Sequence, residues 1–185
     1  MKIVRNKVFE TNSSSTHSII VPLQKDDSDI QLKGLVVTVP LGEFGWEYGI
    51  YNDITSRLSY IYTAICQNYG RGYTKYIHHI EKLLFDKYGM QIIWGVPVFY
   101  VEEDEETYDD KDETTSYLDN GHIDHGYELK QWLKDLFSDD DLLLKTILYS
   151  EIRTSNDNND NDDGMFSSIT QKLVNNDEYI YMKGN

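Results

Sequence analysis

Apolar residues recur at helical spacing in two neighbouring stretches of the chain. After Asp53 they occupy positions 54, 58, 61 and 65, and after Thr74 they occupy positions 77, 80, 83, 84 and 88. Spacings of three and four residues place such side chains on one face of an α-helix. Gly70 and Gly72 separate the two stretches, and Gly89 is typical of the residue just past a helix end. The pattern therefore predicts two successive helices.

Two more amphipathic stretches follow in the last third of the chain. One runs from Tyr127 to Phe137, and the next begins at Ser138, where Ser138 and Asp141 have the spacing of a capping box. Runs of β-branched, aromatic and other apolar residues at positions 19–21, 35–39, 90–101 and 179–181 predict strands. Pro97 favours an edge position or a bulge for the third of these runs.

The order of these elements indicates the fold class. Predicted strands cluster at the start, middle and end of the chain, with helices in pairs between them, which favours α+β over regular βαβ winding. We therefore expect an α+β fold, with a mixed or antiparallel sheet and four to five helices. A chain of 185 residues suits a single compact domain over residues 1–185.

Acidic residues dominate the charge. The chain has 32 acidic and 17 basic residues, for a formal net charge of −15. Nine acidic residues and one lysine lie within residues 102–113, which predicts a mobile acidic arm over residues 102–120. A second polar stretch, rich in Asn and Asp, predicts a loop over residues 156–164. Such a surface repels bare nucleic acid and attracts basic partners.

Tyrosine is interleaved with the acidic residues of the predicted arm. Spaced carboxylates can imitate the phosphates of a duplex, and tyrosine offers a rigid contact surface. We predict that this segment binds a basic nucleic-acid-binding host protein. The protein is then a binding protein rather than an enzyme, and it needs no cofactor. The predicted partner-binding residues are Glu102, Glu103, Asp104, Glu105, Glu106, Tyr108, Asp109 and Asp110. The alternative is that the acidity only keeps the protein soluble.

A histidine-rich group supports a different chemistry. His122, Asp124 and His125 lie within four residues, and His17 could supply a fourth ligand to a divalent transition metal. The group resembles part of the metal signature of metallo-β-lactamase-type hydrolases, which has a further histidine where this chain has Asn120. It therefore suggests a metal-dependent hydrolase or nuclease-like enzyme as the alternative function. A glycine-containing turn before a helix explains the same residues without a metal.

Three further features bound the function. The polar run from Thr11 to Ser18 could be a turn, an interface, or a serine nucleophile with His17 as its base. The single cysteine, Cys66, excludes an internal disulfide, and its helical context predicts an inert buried thiol. No apolar run is long enough to span a membrane and the N-terminus lacks the apolar core of a signal peptide, so we expect a host cytoplasmic location without membrane partners.

The N-terminal sequence carries a resemblance to known proteins. The run RNKVFETNSSSTHS at positions 5–18 resembles the opening of small phage and prophage proteins of Gram-positive bacteria. The His122–His125 group and the Asn/Asp run near Asn156 are similar to sequences in the same group. Short acidic phage proteins of this kind resemble anti-defence factors, including type II anti-CRISPR proteins that bind Cas9. The resemblance thus implies Cas9 as one specific basic partner.

Overall fold

The computed structural model describes residues 16–22, 31–101, 116–124, 126, 129–155 and 179–184. The strands are β1 (Thr16–Pro22), β2 (Val36–Val39), β3 (Glu43–Phe44), β4 (Gly49–Tyr51), β5 (Gln91–Trp94), β6 (Phe99–Val101), β7 (Ser116–Leu118), β8 (His122–Ile123), β9 (Glu151–Ser155) and β10 (Tyr179–Gly184). The α-helices are α1 (Ile54–Tyr69), α2 (Thr74–Tyr88), α3 (Leu129–Leu136) and α4 (Asp140–Tyr149).

The strands form one four-stranded sheet and three two-stranded ladders. The larger sheet has the order β10-β1-β9-β4, and all of its pairings are antiparallel. The pairs β2–β5 and β3–β8 are parallel, whereas β6–β7 is antiparallel. These ladders bring together parts of the chain that are far apart in sequence.

The expected arrangement of one mixed or antiparallel sheet with four to five helices is wrong. Within the described ranges the strands divide into small separate sheets, and the helical residues fall into three segments, one of them long. The long segment is contiguous in sequence, because α1 ends at its C-cap residue, Gly70, and a 3₁₀ turn (Gly70–Tyr73) leads directly into α2. Helices and strands are both present, as the α+β class requires, but a single sheet does not organise them.

Helix α1 lies at the centre of the core. It buries ten consecutive residues, from Arg57 to Cys66, and contacts β2, β7, β8, α3 and α4. A helix that is buried on all sides in this way is an interior element rather than a surface one. The sequence pattern predicted the helix but only one buried face, since Ser59 and Thr63 read as polar positions. Both of their hydroxyls are hydrogen-bonded, to Pro40 O and Ser59 O respectively.

The helix ends are fixed by local hydrogen bonds. Asp53 caps α1, because its Oδ1 accepts a hydrogen bond from the Ser56 backbone N–H at 3.0 Å. Gly89 ends α2 in the left-handed conformation, which confirms its predicted role. The predicted Ser138 cap of α4 is wrong, because Asp139 accepts from the N–H groups of Asp141 and Leu142 instead.

The described helices differ from membrane-spanning helices in length and apolar character. None of them combines the length and apolar character that crossing a membrane requires.

Candidate functional site

Most of the net negative charge belongs to residues outside the described ranges. The described ranges contain 12 acidic and 11 basic residues, so they contribute only −1 to the net charge of −15. The remaining −14 belongs to residues outside them, chiefly residues 102–115 and 156–178. Residues 102–113 alone, with nine acidic residues and one lysine, contribute −8, which is more than half of the net charge.

The longest acidic run connects the two strands of a hairpin. Val101 of β6 pairs with Ser116 of β7, so the two ends of residues 102–115 are joined in one antiparallel ladder. All eight predicted partner-binding residues, from Glu102 to Asp110, lie outside the described residues, as does the Asn/Asp-rich segment 156–164. The end of the predicted arm is described, and Ser116–Leu118 is strand β7. The residues that flank the acidic run in sequence are therefore paired with each other.

The two faces of this hairpin have different surroundings. Phe99 pairs with Leu118, and both side chains pack against the hydrophobic core. Tyr100 pairs with Tyr117 on the opposite face, where the two rings stack with centroids 5.5 Å apart. Because alternate residues of a strand point to opposite faces, the first pair anchors the hairpin and the second faces away from the core.

The chain before β6 is held in place by the side chain of Asn120. Its Oδ1 accepts a hydrogen bond from Val98 N, and its Nδ2 donates one to Val96 O, both at 2.8 Å. The Asp119 N–H also donates to Val98 O. The hydrogen bonding between the two sides of the hairpin therefore continues beyond the last strand residues, through the side-chain amide of the exposed Asn120.

These bonds present a row of apolar side chains to solvent. Val96 is 80% exposed, Val98 is 48% exposed and Tyr100 is 46% exposed. Sequence reasoning missed this row, because the whole run over positions 90–101 was interpreted as one apolar strand. The available signal was the alternation of Val96, Val98 and Tyr100 with the inward residues Pro97 and Phe99.

The predicted metal ligands are only partly brought together. His17 of β1 is 3% exposed, and its Nδ1 shares a hydrogen bond of 3.2 Å with the Tyr60 hydroxyl. Burial raises the pKa of Tyr60, so this hydroxyl stays protonated. A methyl group built on Gly45 would lie 3.0 Å from His17 Cε1 and 2.9 Å from Asp124 Cβ. His17 and Asp124 thus both lie against Gly45.

His122 faces a different side chain of the same loop. Its ring centroid lies 5.9 Å from that of Trp46, which follows Gly45 directly. The fourth predicted ligand, His125, lies outside the described residues. Among the residues that are described, no group of three or more His, Cys, Asp or Glu side chains could hold a metal ion.

The structure also bears on the two candidate nucleophiles. His17 and Ser18 are adjacent in β1, so their side chains point to opposite faces of the sheet, and His17 cannot act as a base for Ser18. Residues 11–15 of the polar run lie outside the described ranges. Cys66 is buried as predicted, and its burial raises the pKa of the thiol to about 12. A thiol with that pKa is not a nucleophile at neutral pH.

Comparison of the chain with family models, with curated proteins and with solved structures gives no match.

Proposed function

We propose that this protein is a non-enzymatic, phage-type anti-defence inhibitor that binds a basic nucleic-acid-handling protein through its acidic hairpin connection. The observation that supports the proposal is the concentration of charge in the sequence, because residues 102–113 carry nine acidic residues and one lysine, or −8 of the net −15. The N-terminal resemblance suggests Cas9 as the target. The same resemblance suggests action in the cytoplasm of the host cell.

The hairpin suits this role because it fixes the acidic run at both ends. Residues 102–113 carry nine acidic side chains, and the Val101–Ser116 pairing joins the run to a strand pair packed on the core. A run attached at both ends loses less conformational entropy on binding than a free tail of the same length. Its negative field accelerates encounter with the Lys/Arg groove of a nucleic-acid-binding protein.

The first test measures binding to the Cas9–guide complex as a function of salt. We expect the association rate constant to fall about tenfold or more between low and high salt, because long-range steering is screened by ions. Stopped-flow or biosensor kinetics measure this rate. Binding that is absent, or indifferent to salt, would contradict the proposal.

Two variants with equal charge changes locate the effect. The arm variant replaces Glu102, Glu103, Glu105 and Glu106 with Gln. The matched control replaces Asp157, Asp160, Asp162 and Asp163 with Asn. We expect the arm variant to lose most of the salt-dependent rate and the control to keep it. Equal losses in the two variants would show that overall charge, rather than the hairpin connection, drives association.

A second candidate function is a metal-dependent hydrolase or nuclease-like enzyme. One observation favours it, the approach of His17 and Asp124 to the same glycine. A divalent transition metal held by the predicted set, which includes His122 and His125, would neutralise local carboxylates and allow a phosphate to approach.

Metal analysis separates the two functions. The enzyme requires near-stoichiometric metal in protein purified without chelators, and at least a tenfold loss of metal affinity when Asp124→Asn removes a charged ligand. Elemental analysis and cobalt titration measure these quantities. A metal-free preparation whose activity is unchanged by His122→Ala removes the second function.

A further inference from the structure

The exposed face of the β6–β7 hairpin combines aromatic, apolar and acidic side chains. We call this surface the tyrosine platform; its residues are Val96, Val98, Tyr100, Tyr117 and Asp119. Tyr100 and Tyr117 are cross-strand partners with stacked rings, and the exposed Asp119 follows β7 directly, with its backbone N–H donating to Val98 O. Residues 102–113 follow Val101 of β6 directly in sequence.

We propose that the tyrosine platform binds an arginine side chain of a basic partner, with the guanidinium stacked on Tyr100. The inference rests on the proposed function, and it names the group that the partner contributes. The charge favours a cation, because Asp119 is exposed and the sequence that follows Val101 directly carries nine acidic residues and one lysine over positions 102–113. The exposed part of the Tyr100 ring offers the stacking surface.

The chemistry of the platform favours arginine over lysine. A guanidinium is planar and weakly hydrated, so it can stack on a tyrosine ring and still donate hydrogen bonds to a carboxylate in the same plane. An ammonium group is strongly hydrated and loses more on approaching the ring. Val96 and Val98 extend the surface along the strand direction, where the methylene groups of the arginine can pack.

The backbone of the platform is ordered before a partner binds. Phe99 and Leu118 anchor the opposite face in the core, and Asn120 fixes residues 96–98 through two hydrogen bonds. A surface that is already ordered loses little entropy on binding. The exposed valines therefore lie on a fixed backbone rather than on a segment that must fold around the partner.

The test compares oligo-arginine and oligo-lysine peptides of equal length by fluorescence anisotropy. We expect the full chain to bind the arginine peptide about two- to fivefold more tightly, the gain typical of a cation–π contact at an exposed site. Tyr100→Leu removes the preference while leaving affinity for the lysine peptide unchanged, and Tyr100→Phe keeps the preference. Phe85→Leu, which alters another exposed aromatic residue on α2, is the control and changes neither affinity.

The outcomes distinguish this inference from the proposed function. If Tyr100→Leu keeps the arginine preference while the arm variant binds both peptides more weakly, the platform contact is overturned and the acidic hairpin connection remains the binding element. If the arm variant binds both peptides as tightly as the unchanged chain does, the acidic run does not contribute to binding and the proposed function is overturned. If the arginine peptide does not bind the unchanged chain, or binds no more tightly than the lysine peptide, the inference is overturned.

Discussion

Replacing Arg57 with methionine is expected to lower the free energy of unfolding by about 3 kcal/mol or more. Arg57 is a buried cation on the innermost helix, α1. Methionine fills much of the volume of the arginine side chain and replaces its methylene groups. The expected loss therefore comes from the hydrogen bonds of the guanidinium rather than from a cavity.

The guanidinium joins α1 to the end of α4. Its Nε donates to Ser150 O, and its Nη1 donates to Leu148 O at 2.6 Å and to Ile147 O at 3.3 Å. The Nη2 atom donates to Asn52 O. The last carbonyl groups of a helix lack intrahelical donors, and here a side chain that lies about ninety residues earlier in sequence provides them.

The electrostatic setting keeps this cation charged. Burial lowers the pKa of the Arg57 guanidinium, while the nearby carboxylates of Asp53 and Glu151 oppose that shift. An arginine remains protonated throughout the accessible pH range, so the hydrogen bonds persist from acid to alkaline conditions. Removing it leaves buried carbonyl groups without donors, which is more costly than the loss of an exposed hydrogen bond.

Urea denaturation followed by circular dichroism measures the effect. Arg57→Lys is the informative companion, because it keeps the charge but offers one nitrogen in place of a fork, and we expect it to recover less than half of the loss. Lys82→Met alters an exposed lysine of α2 and should change stability by less than about 0.5 kcal/mol. A loss at Arg57→Met as small as that of Lys82→Met would show that the carbonyl contacts contribute nothing.

Arg57 also marks where sequence reasoning was limited. The helical spacing at positions 54, 58, 61 and 65 predicted α1, because this periodicity involves only residues that are close in sequence. The burial of Arg57 depends on Ile147 and Leu148, which belong to a helix far away in sequence. No local pattern distinguishes such an arginine from one on a solvated helix face.

The sheets were less predictable for the same reason. Strands β3 and β8 have two residues each, too few to show an alternating pattern, and Glu43 pairs with His122, which lies 79 residues later in the sequence. The predicted single sheet assumed that all strands share one ladder. Instead, the interior helix α1 contacts β2, β7 and β8, which belong to three separate ladders.

The candidate site was predicted in part. Composition alone located the acidic run of residues 102–113, since charge is a property of sequence. The stacking of Tyr100 on Tyr117 required the register of β6 and β7, which local sequence does not specify. His17 and Asp124, two of the predicted metal ligands, both lie against Gly45, a glycine that no local sequence pattern links to either residue.

Gly45→Ala is expected to destabilise the fold by about 2–4 kcal/mol, the sum of backbone strain and overpacking. Gly45 has a φ of +103°, a region that residues with side chains rarely adopt. Its added methyl group would also lie 2.9 Å from Asp124 Cβ and 3.0 Å from His17 Cε1. Both neighbours must move, and His17 is held by Tyr60.

Gly34→Ala is the matched control for the backbone contribution. Gly34 has a φ of +78°, but a methyl group there would have no atom within 4 Å. We expect a loss of about 1 kcal/mol, from strain alone. Thermal or urea denaturation of both variants then gives, by difference, the energy of packing a methyl group between His17 and Asp124. Equal losses for the two glycines would contradict the close approach of these side chains.

A double-mutant cycle with His17→Ala assigns that energy to a particular neighbour. His17→Ala removes Cε1 and Nε2, the two atoms that the new methyl group meets on one side, and so leaves space for it. We expect the double variant to be more stable than the sum of the single losses predicts, by about 1–2 kcal/mol. Strict additivity would place the conflict at Asp124 instead, since its Cβ remains. In either case the cycle shows which of the two proposed ligands limits the space at position 45, and it needs no metal to do so.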